Sequence, residues 1–354
     1  MAPKISLIVT VYNAEKFLRR CLDSLVNQTL KDIEIICVND GSTDGSLEIL
    51  REYESKDIRV KVLSQTNSGT GGGRNTALQA AFGDFICISD SDDYRALDCL
   101  EKLYNAAIKY NTDSAFGDVY RVTEFDEEYC SNFIDPRPYD KILDATTSFY
   151  DSIFQWQSIF KRDCIKDIRY VENTDYEDSA YVSEVLMNIN STVHVKDAIY
   201  YYRLRENSSA AGKTYKIFKT PVVLKRMKEN LEKYKNSPKF YHLQLYYKRT
   251  IEFLLNKAFF IRMPDDASYL KIWKLYFDFC EYMSFKQKIK YFRKIVKKLP
   301  QYLLFPLLKP VIKVEKRKYY KFIILFSFMK FKILRKHGNY VKKSLRKGLH
   351  NKKI

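Results

Sequence analysis

The sequence lacks the features of several protein classes. Its four histidines have no metal-ligand spacing, and its seven cysteines are an odd number without a C-x-x-C pair. Neither a zinc site nor a disulfide framework is indicated, and a reducing cytoplasm is the expected compartment. The longest apolar stretch near the C-terminus, residues 322–329, contains Ser327. It is much shorter than the roughly 20 residues of a membrane-spanning helix, so no transmembrane segment is predicted. The sequence also has no Gly-x-Ser-x-Gly hydrolase motif.

Composition and charge indicate a folded chain with two chemically different halves. The 354 residues are 46% hydrophobic and 29% charged, too apolar for general disorder and too polar for a polytopic membrane protein. Residues 1–210 carry 23 basic and 35 acidic side chains, a net charge of −12. Residues 211–354 carry 38 basic and 8 acidic side chains, a net charge of +30. Length and charge together predict two domains, 1–210 and 211–354.

The first half alternates strand patterns with helix patterns. Apolar, β-branched runs predict strands, and amphipathic segments between them predict helices. The predicted strands are residues 5–11, 33–38, 60–63 and 84–89, and the predicted helices are residues 14–28, a segment ending near residue 53, and residues 75–81. Asn13 is expected to cap the first helix, and the glycines before residue 75 are expected to form a loop. Alternation of this kind predicts an α/β fold with a mainly parallel sheet covered by helices on both faces.

Polar residues follow each of the four predicted strands. They are Tyr12 with Asn13, Asn39 with Asp40, residues 67–74, and residues 90–93. Each set alone is ordinary turn chemistry. Because ligands bind at the carboxyl ends of the strands in parallel sheets, we expect all four sets to converge on one edge.

Three carboxylates lie within the four residues 90–93, directly after an apolar strand. Carboxylates so close together repel each other unless a divalent cation with hard oxygen ligands neutralises them. The same residues also fit an acidic turn or a helix cap exposed to water.

Two further segments suit a ligand. Asp40, at the end of the second strand, can accept an N–H from a base edge or a sugar hydroxyl, and Gly41 permits close backbone approach. Asp44 equally fits an Asx turn that caps the next helix. Residues 67–75 place four glycines and Arg74 before a helix, which suits phosphate or a flat ring, although a flexible surface loop is an alternative.

In order and spacing, these segments resemble glycosyltransferase family 2, whose members are inverting enzymes of GT-A fold that use nucleotide-diphospho-sugars. The resemblance spans roughly residues 4–210 and includes bacterial capsule, lipooligosaccharide and O-antigen enzymes. It is carried by residues 5–13, 21–25, 27–29, 38–44, 67–69 and 74–75, with Gly73 where alanine is usual. The resemblance implies a GT-A domain, here followed by a basic helical C-terminal region.

The resemblance implies how the donor would bind. Thr10, Tyr12 and Asp40 would hold the uracil of a UDP-sugar, with Arg74 close by.

Asp90, Ser91 and Asp92 are similar to the D-x-D element of the family. Asp92 would bind manganese or magnesium, and Asp90 would face the ribose or a metal-bound water. A divalent ion on the diphosphate would stabilise the charge that develops as UDP leaves.

The acceptor side follows from later segments. Residues 156–162 resemble a segment leading to the acceptor region, which gives Trp156 an acceptor contact, although a core role is an alternative. Glu177 and Asp178 resemble the E-D motif. Asp178 would be the general base, because an inverting displacement needs a carboxylate within reach of the acceptor hydroxyl, and Glu177 would touch acceptor or donor sugar. The alternative for both residues is a structural role, because the helix dipole favours carboxylates in the first turn of a helix.

Residues 200–209 resemble the family's Y-R-x-R-x-x-S region. Arg203 or Arg205 could therefore reach the diphosphate, because a guanidinium forks onto phosphate oxygens. A structural ion pair is the alternative.

The last fifty residues interleave basic and aromatic side chains, as in residues 316–326. Such a segment can lie in a membrane interface, where each Lys or Arg near an anionic leaflet contributes about 1 kcal/mol. No nucleic-acid-binding motif is present, and a solvated helical tail that serves dimerisation or solubility is the other alternative.

Together the sequence predicts a cytoplasmic glycosyltransferase, peripheral on the inner face of the plasma membrane. It would move a hexose or N-acetylhexosamine from a UDP-sugar to a hydroxyl of a cell-surface glycan or lipid-linked oligosaccharide. A non-catalytic nucleotide-sugar-binding or scaffold protein of the same fold is the alternative.

Overall fold

The structure is a computed structural model that describes residues 2–123, 139–144, 155–205 and 220–260. All of these residues belong to one compact unit. The described strands are β1 (Ile5–Val11), β2 (Ile33–Asn39), β3 (Val60–Ser64), β4 (Phe85–Asp90), β5 (Tyr94–Arg95), β6 (Ser114–Val122), β7 (Ile142–Asp144), β8 (Ser158–Lys161) and β9 (Ser191–Arg203). The described helices are α1 (Glu15–Val26), α2 (Ser46–Lys56), α3 (Gly69–Gln79), α4 (Cys99–Tyr110), α5 (Arg162–Ile165), α6 (Glu177–Asn188), α7 (Pro221–Lys233) and α8 (Phe240–Phe260).

The described strands form one mixed sheet in the order β3-β2-β1-β4-β8-β6-β9-β5, with β7 paired to β9. Strands β1 to β4 are parallel to one another, and β8 runs antiparallel between β4 and β6. Helix α3 packs on β1 and β2, and α4 packs on β6 and β9. The predicted α/β fold with its largely parallel first half is confirmed by the element order and the parallel pairing. Nearly every residue of β1 and β2 is buried, as expected of inner strands covered on both faces.

The predicted capping role of Asn13 is wrong. Asn13 has a left-handed backbone with φ of 49°, and its Oδ1 accepts the N–H of Thr43 at 2.8 Å. The N-terminal amides of α1 instead donate to the start of α2 and the loop before it: Ala14 to Ser46 Oγ at 2.9 Å, and Glu15 to Asp44 Oδ2 at 3.1 Å. The loops after β1 and β2 are therefore fixed to each other by hydrogen bonds.

The predicted glycine-rich loop before residue 75 is also wrong, because α3 begins at Gly69. A Cβ at Gly73 would overlap the methyl group of Thr10, and a Cβ at Gly71 would overlap the carbonyl oxygen of Val171. Glycine has low helix propensity, so the local pattern favours a loop. Here its missing side chain lets α3 approach β1 closely, and that packing decides the conformation.

Helices α7 and α8 pack against α6. Glu184 of α6 is buried and contacts Lys233 Nζ at 2.6 Å and Arg226 Nη2 at 3.5 Å. The described part of the basic half therefore adjoins the helix that begins at Glu177. The division at residue 210 stays a prediction, and the basic segment 301–354 lies outside the described residues.

Within the described ranges, no helix combines the length and the apolar character needed to cross a bilayer.

Candidate active site

The carboxyl ends of β2, β1 and β4 lie side by side at one edge of the sheet. Thr10 of β1 is level with Asp90 of β4, and Val11 is level with Asn39 of β2. The amide of Asp40 donates to the carbonyl of Val11 at 2.8 Å. The register of the parallel strands thus brings Thr10, Asp40 and Asp90 to the same edge.

Asp40 is buried beneath the start of α3. Its Oδ1 accepts hydrogen bonds from Gln65 Nε2 at 2.8 Å and from the amide of Ser68 at 2.9 Å. These contacts fix the carboxylate against the segment that leads into α3. At the end of the neighbouring strand β1, Thr10 Oγ1 is buried and has no hydrogen-bond partner in the structure described, whereas Tyr12 is 52% exposed.

Arg74 joins two carboxylates that are far apart in sequence. Its side chain is buried, Nη2 donates to Asp90 Oδ1 at 2.7 Å, and Nη1 donates to Glu177 Oε1 at 2.7 Å. The guanidinium also lies 5.3 Å from the centre of the Tyr170 ring. Arg74 therefore links the end of β4 to the first turn of α6, and the predicted closeness to uracil stays a prediction.

The turn at residues 90–93 is surrounded by arginines from the end of β9. The Asp92 carboxylate pairs with Arg205, and the Asp92 carbonyl accepts a hydrogen bond from Arg203 Nε at 2.9 Å. Burial raises the pKa of Asp92; the charge of Arg205 opposes this rise, and the charge of Asp90 adds to it. Both arginines of the predicted diphosphate region thus lie at the D-x-D turn.

Asp93 completes this turn from the protein side. It is buried, and its two oxygens accept hydrogen bonds from Tyr200 Oη at 2.7 Å and from the amide of Arg203 at 2.8 Å. Burial raises the pKa of Asp93 well above its usual range. Asp93 therefore faces the protein interior and bonds the turn to β9, unlike Asp90 and Asp92, which are the proposed metal ligands.

The donor chemistry of the turn fits a magnesium or manganese ion. The donors available are the hard carboxylate oxygens of Asp90 and Asp92. Among the described residues, no group of three or more His, Cys, Asp or Glu side chains is arranged to hold a metal ion. Magnesium is usually held by one or two carboxylates together with substrate phosphates, so an all-protein cage is not required.

Glu177 and Asp178 begin α6, directly after Tyr176, whose backbone is left-handed with φ of 61°. Burial raises the pKa of Glu177 to about 7, although the charge of Arg74 acts in the opposite direction. Burial also raises the pKa of Asp178; the charge of Arg74 opposes this rise, and the charge of Asp90 adds to it. Asp178 therefore interacts with the same charged groups that surround the D-x-D turn.

Helix α8, which packs on α6, carries a tyrosine that senses the charge of Asp178, and the sequence does not indicate it. Burial raises the pKa of Tyr246, and the charge of Asp178 adds to this rise. Phe253, two turns further along α8, meets Tyr176 edge-on with ring centres 5.8 Å apart. The described basic half thus contributes one side of the region around Asp178.

Trp156 is only 9% exposed. Its ring stacks on Tyr200 with centres 4.6 Å apart and on Tyr202 at 5.4 Å, and its carbonyl accepts a hydrogen bond from Arg95 Nη2 at 2.5 Å. These contacts place Trp156 in a packed aromatic cluster behind the D-x-D turn. Its predicted contact with the acceptor stays a prediction.

A groove of about 720 Å³ lies at the N-terminal ends of α1 and α2. Its lining includes Asn13, Glu15 and Asp44 but none of Asp90, Asp92 and Asp178. We assign the chemistry to the D-x-D turn because the buried charges lie there, whereas the groove is lined by ordinary loop and helix-end residues.

Sequence reasoning did not identify Gln65 or Arg95, which lie in ordinary loop or strand sequence where no local pattern marks them. Ser68, Asp93 and Tyr200 lie inside segments that the sequence singled out, but their individual contacts depend on residues far away in the chain.

Comparisons with known proteins agree with this architecture. Residues 6–168 match the sequence family described as Glycosyl transferase family 2. An uncharacterized glycosyltransferase of Haemophilus influenzae is 34% identical over 54% of this chain and 75% of that protein. Glycosyltransferase GlyA of Streptococcus pneumoniae is 32% identical over 58% of this chain. The poly(ribitol-phosphate) beta-glucosyltransferase of Bacillus spizizenii is 32% identical over 60% of this chain. The chain spans about a third of the length of the last two, 31% and 34%.

Solved structures share the fold. S. aureus TarS residues 1–349, in complex with UDP-GlcNAc, aligns with a TM-score of 0.56 and 20% identity over 85% of this chain and 82% of that chain. Another TarS structure aligns with a TM-score of 0.60 and 21% identity over 80% of this chain and 50% of that chain. Fold and relatives define a glycosyltransferase with the GT-A fold. The chain belongs to glycosyltransferase family 2 and is an enzyme of the transferase class.

Proposed function

We propose that the protein is an inverting glycosyltransferase that moves a hexose or N-acetylhexosamine from a UDP-sugar to a hydroxyl of a cell-surface glycan or lipid-linked oligosaccharide. The observation that carries this proposal is the position of Arg74 between Asp90 and Glu177, each at 2.7 Å. This bridge puts the proposed donor carboxylates and the proposed base, Asp178, into one network of charges. The Bacillus spizizenii relative named for a glucosyl transfer, and the TarS complex with UDP-GlcNAc, support testing UDP-sugars first.

In this proposal the nucleotide binds at the ends of β1 and β2. Asp40, fixed by Gln65 and Ser68, accepts an N–H from the uracil edge. Thr10 Oγ1 is buried without a partner in the structure described, and a bound base would supply one. Tyr12 is half-exposed at the same strand end and can cover the ring.

The diphosphate lies over the D-x-D turn in this proposal. A manganese or magnesium ion held by Asp92 and Asp90 would stabilise the negative charge of the departing diphosphate. Arg205 already neutralises Asp92, and its planar guanidinium can bind two phosphate oxygens at once. In the absence of donor, Arg205 thus neutralises the charge of Asp92. When the donor binds, Arg205 can leave Asp92 and bind the diphosphate instead.

Asp178 would act as the general base. It takes the proton of the acceptor hydroxyl, whose oxygen attacks the anomeric carbon from the face opposite the diphosphate. The bond between the anomeric carbon and the diphosphate oxygen breaks, and its electron pair leaves with UDP. An α-configured donor then gives a β-linkage. The raised pKa of Asp178 makes it a stronger base than an exposed aspartate.

Purified protein offered a panel of UDP-sugars tests this function through the release of UDP. We expect release from at least one donor, loss on chelation with EDTA, and recovery with Mn²⁺ or Mg²⁺. Asp92→Asn should lower turnover by roughly 100-fold or more, because a lost metal contact removes several kcal/mol of stabilisation. Asp32→Asn makes the same change at an exposed position before β2, at the amino ends of the strands, and should leave turnover unchanged. Donor binding without turnover under any metal would instead support the non-catalytic alternative.

We further propose that residues 301–354, the end of the half that carries 38 basic and 8 acidic side chains, hold the enzyme on the cytoplasmic face of the plasma membrane. A lipid-linked acceptor would be reached from that surface. The protein should float with anionic liposomes and lose this binding when residues 301–354 are deleted; binding that survives the deletion would overturn the proposal.

A further inference from the structure

Tyr200 contacts both ends of the D-x-D turn. It lies in β9 and is fully buried. Its hydroxyl donates to Asp93 Oδ2 at 2.7 Å and accepts the backbone N–H of Asp90 at 3.3 Å. The other oxygen of Asp93 accepts the amide of Arg203, so the turn is bonded to β9 at two adjacent points. One buried hydroxyl thus contacts the first and the last residue of the segment that carries Asp90 and Asp92.

Tyr200 is itself held by two large side chains. Its ring stacks on Trp156 with centres 4.6 Å apart, and the guanidinium of Arg95 lies 4.7 Å from its ring centre. Arg95 is 2% exposed and donates to the carbonyl of Ile88 at 2.7 Å, in the strand that ends in the turn. The ring is therefore packed independently of its hydroxyl.

Arg95 is a charged residue in the core, and burying a charge is costly in free energy. Among the described residues its guanidinium bonds to two backbone carbonyls and to Cys99 Sγ and to no carboxylate, and its Nε has no hydrogen-bond partner. A buried cation without an anionic partner is unfavourable for stability alone. Its carbonyl contacts and its place on the Tyr200 ring indicate that it fixes the backbone behind the turn.

We propose that Tyr200 is a positioning residue of the donor site, which presents Asp90 and Asp92 to the metal and the diphosphate by fixing both ends of residues 90–93. This inference rests on the proposed metal-dependent function. Tyr200 acts through Asp93 and the backbone of Asp90 and does not touch the substrate. Groups that orient metal ligands in this way typically change metal affinity about 10–100-fold when they are removed.

The test is a Mn²⁺ titration followed by electron paramagnetic resonance, with UDP present in excess. Tyr200→Phe removes the hydroxyl and keeps the ring that packs on Trp156 and Arg95. We expect Mn²⁺ affinity to fall about tenfold. Tyr104→Phe is the matched control, because Tyr104 lies on α4 with its ring edge-on to Phe85 at 5.8 Å, and it should bind Mn²⁺ like the unaltered protein. Unchanged affinity in Tyr200→Phe would overturn the proposal.

A second variant separates positioning from stability. Asp93→Asn replaces one of the two oxygens that accept hydrogen bonds from Tyr200 and Arg203 with an NH₂ group, and it should also weaken Mn²⁺ binding. Because Tyr200 and Asp93 act as one unit, the double variant should bind Mn²⁺ about as tightly as the single variant with the larger loss of affinity. Losses that multiply, or a lower melting temperature with unchanged Mn²⁺ affinity, would contradict the proposal. If the unaltered protein binds no Mn²⁺ in the presence of UDP, the proposed metal-dependent function fails. If the unaltered protein and Tyr200→Phe bind Mn²⁺ equally well, only the positioning role of Tyr200 fails.

Discussion

Asp178→Asn is expected to abolish sugar transfer while leaving donor binding intact. The amide keeps the size of the side chain but cannot accept the proton of the acceptor hydroxyl. General bases typically contribute about 10²–10⁴-fold to a rate, so we expect kcat to fall by roughly 1,000-fold. The affinity for UDP, measured by calorimetry in the presence of Mn²⁺, should change less than about threefold, because the proposed nucleotide contacts come from the ends of β1 and β2.

The control for this variant is Asp167→Asn, which makes the same change at an exposed position after α5. The pH profile gives a second check. Burial raises the pKa of Asp178, and a protonated base cannot accept a proton, so kcat/KM should fall as the pH is lowered through the titration of the Glu177–Asp178 pair. Transfer by Asp178→Asn within tenfold of the parent rate would exclude Asp178 as the base.

Arg74→Met is expected to cause a large loss of both stability and activity. It removes the cation that contacts Asp90 and Glu177 at 2.7 Å each and leaves two carboxylates, one of them buried, without their partner. Breaking a buried ion pair typically costs about 3–5 kcal/mol in the free energy of unfolding. Arg74→Lys keeps the charge but supplies a single ammonium in place of the fork, so it should restore only part of the stability.

The loss in Arg74→Met should depend on pH. Burial raises the pKa of Glu177 to about 7, and the charge of Arg74 limits this rise. Removing Arg74 should therefore raise the pKa of Glu177 further. A carboxyl whose folded pKa lies above its unfolded value favours the folded state at low pH, and this contribution is lost as the pH rises through the folded pKa. Urea unfolding should therefore show a larger difference from the parent at pH 8 than at pH 6.

Arg51→Met provides the control, since Arg51 is half-exposed and pairs with Glu54 on the surface of α2. Exposed pairs contribute about 0–1 kcal/mol, so its unfolding midpoint should barely move. Equal urea midpoints for Arg74→Met and the parent at pH 8 would show that the bridge is not important for the fold.

Much of the fold could be predicted because its signals are local. The strand from Ile5 to Val11 is a continuous apolar, β-branched run, and the structure has a strand of the same bounds. The start of α3 could not be predicted in this way. Its glycines favour a loop locally, and only the packing of Gly73 against Thr10 makes the helix favourable. The cap of α1 could not be predicted for a similar reason, because its acceptors lie about 30 residues away, at the start of α2 and in the loop before it.

In the candidate site, too, local motifs could be predicted from the sequence and long-range contacts could not. The D-x-D turn and the E-D pair are short motifs, and a sequence can display them. The contacts that join them are not local: Arg74 and Glu177 are 103 residues apart, and Tyr200 and Asp93 are 107 residues apart. Pairs at such separations leave no periodic pattern, so the bridge and the turn support become visible only in three dimensions.

The most direct test of the central claim is a crystal structure of the protein with UDP and Mn²⁺. We expect the uracil against Asp40, the ion on Asp92, and the β-phosphate facing the first turn of α6. UDP bound elsewhere, for example in the groove between α1 and α2, with Asp92 still paired to Arg205, would contradict the account.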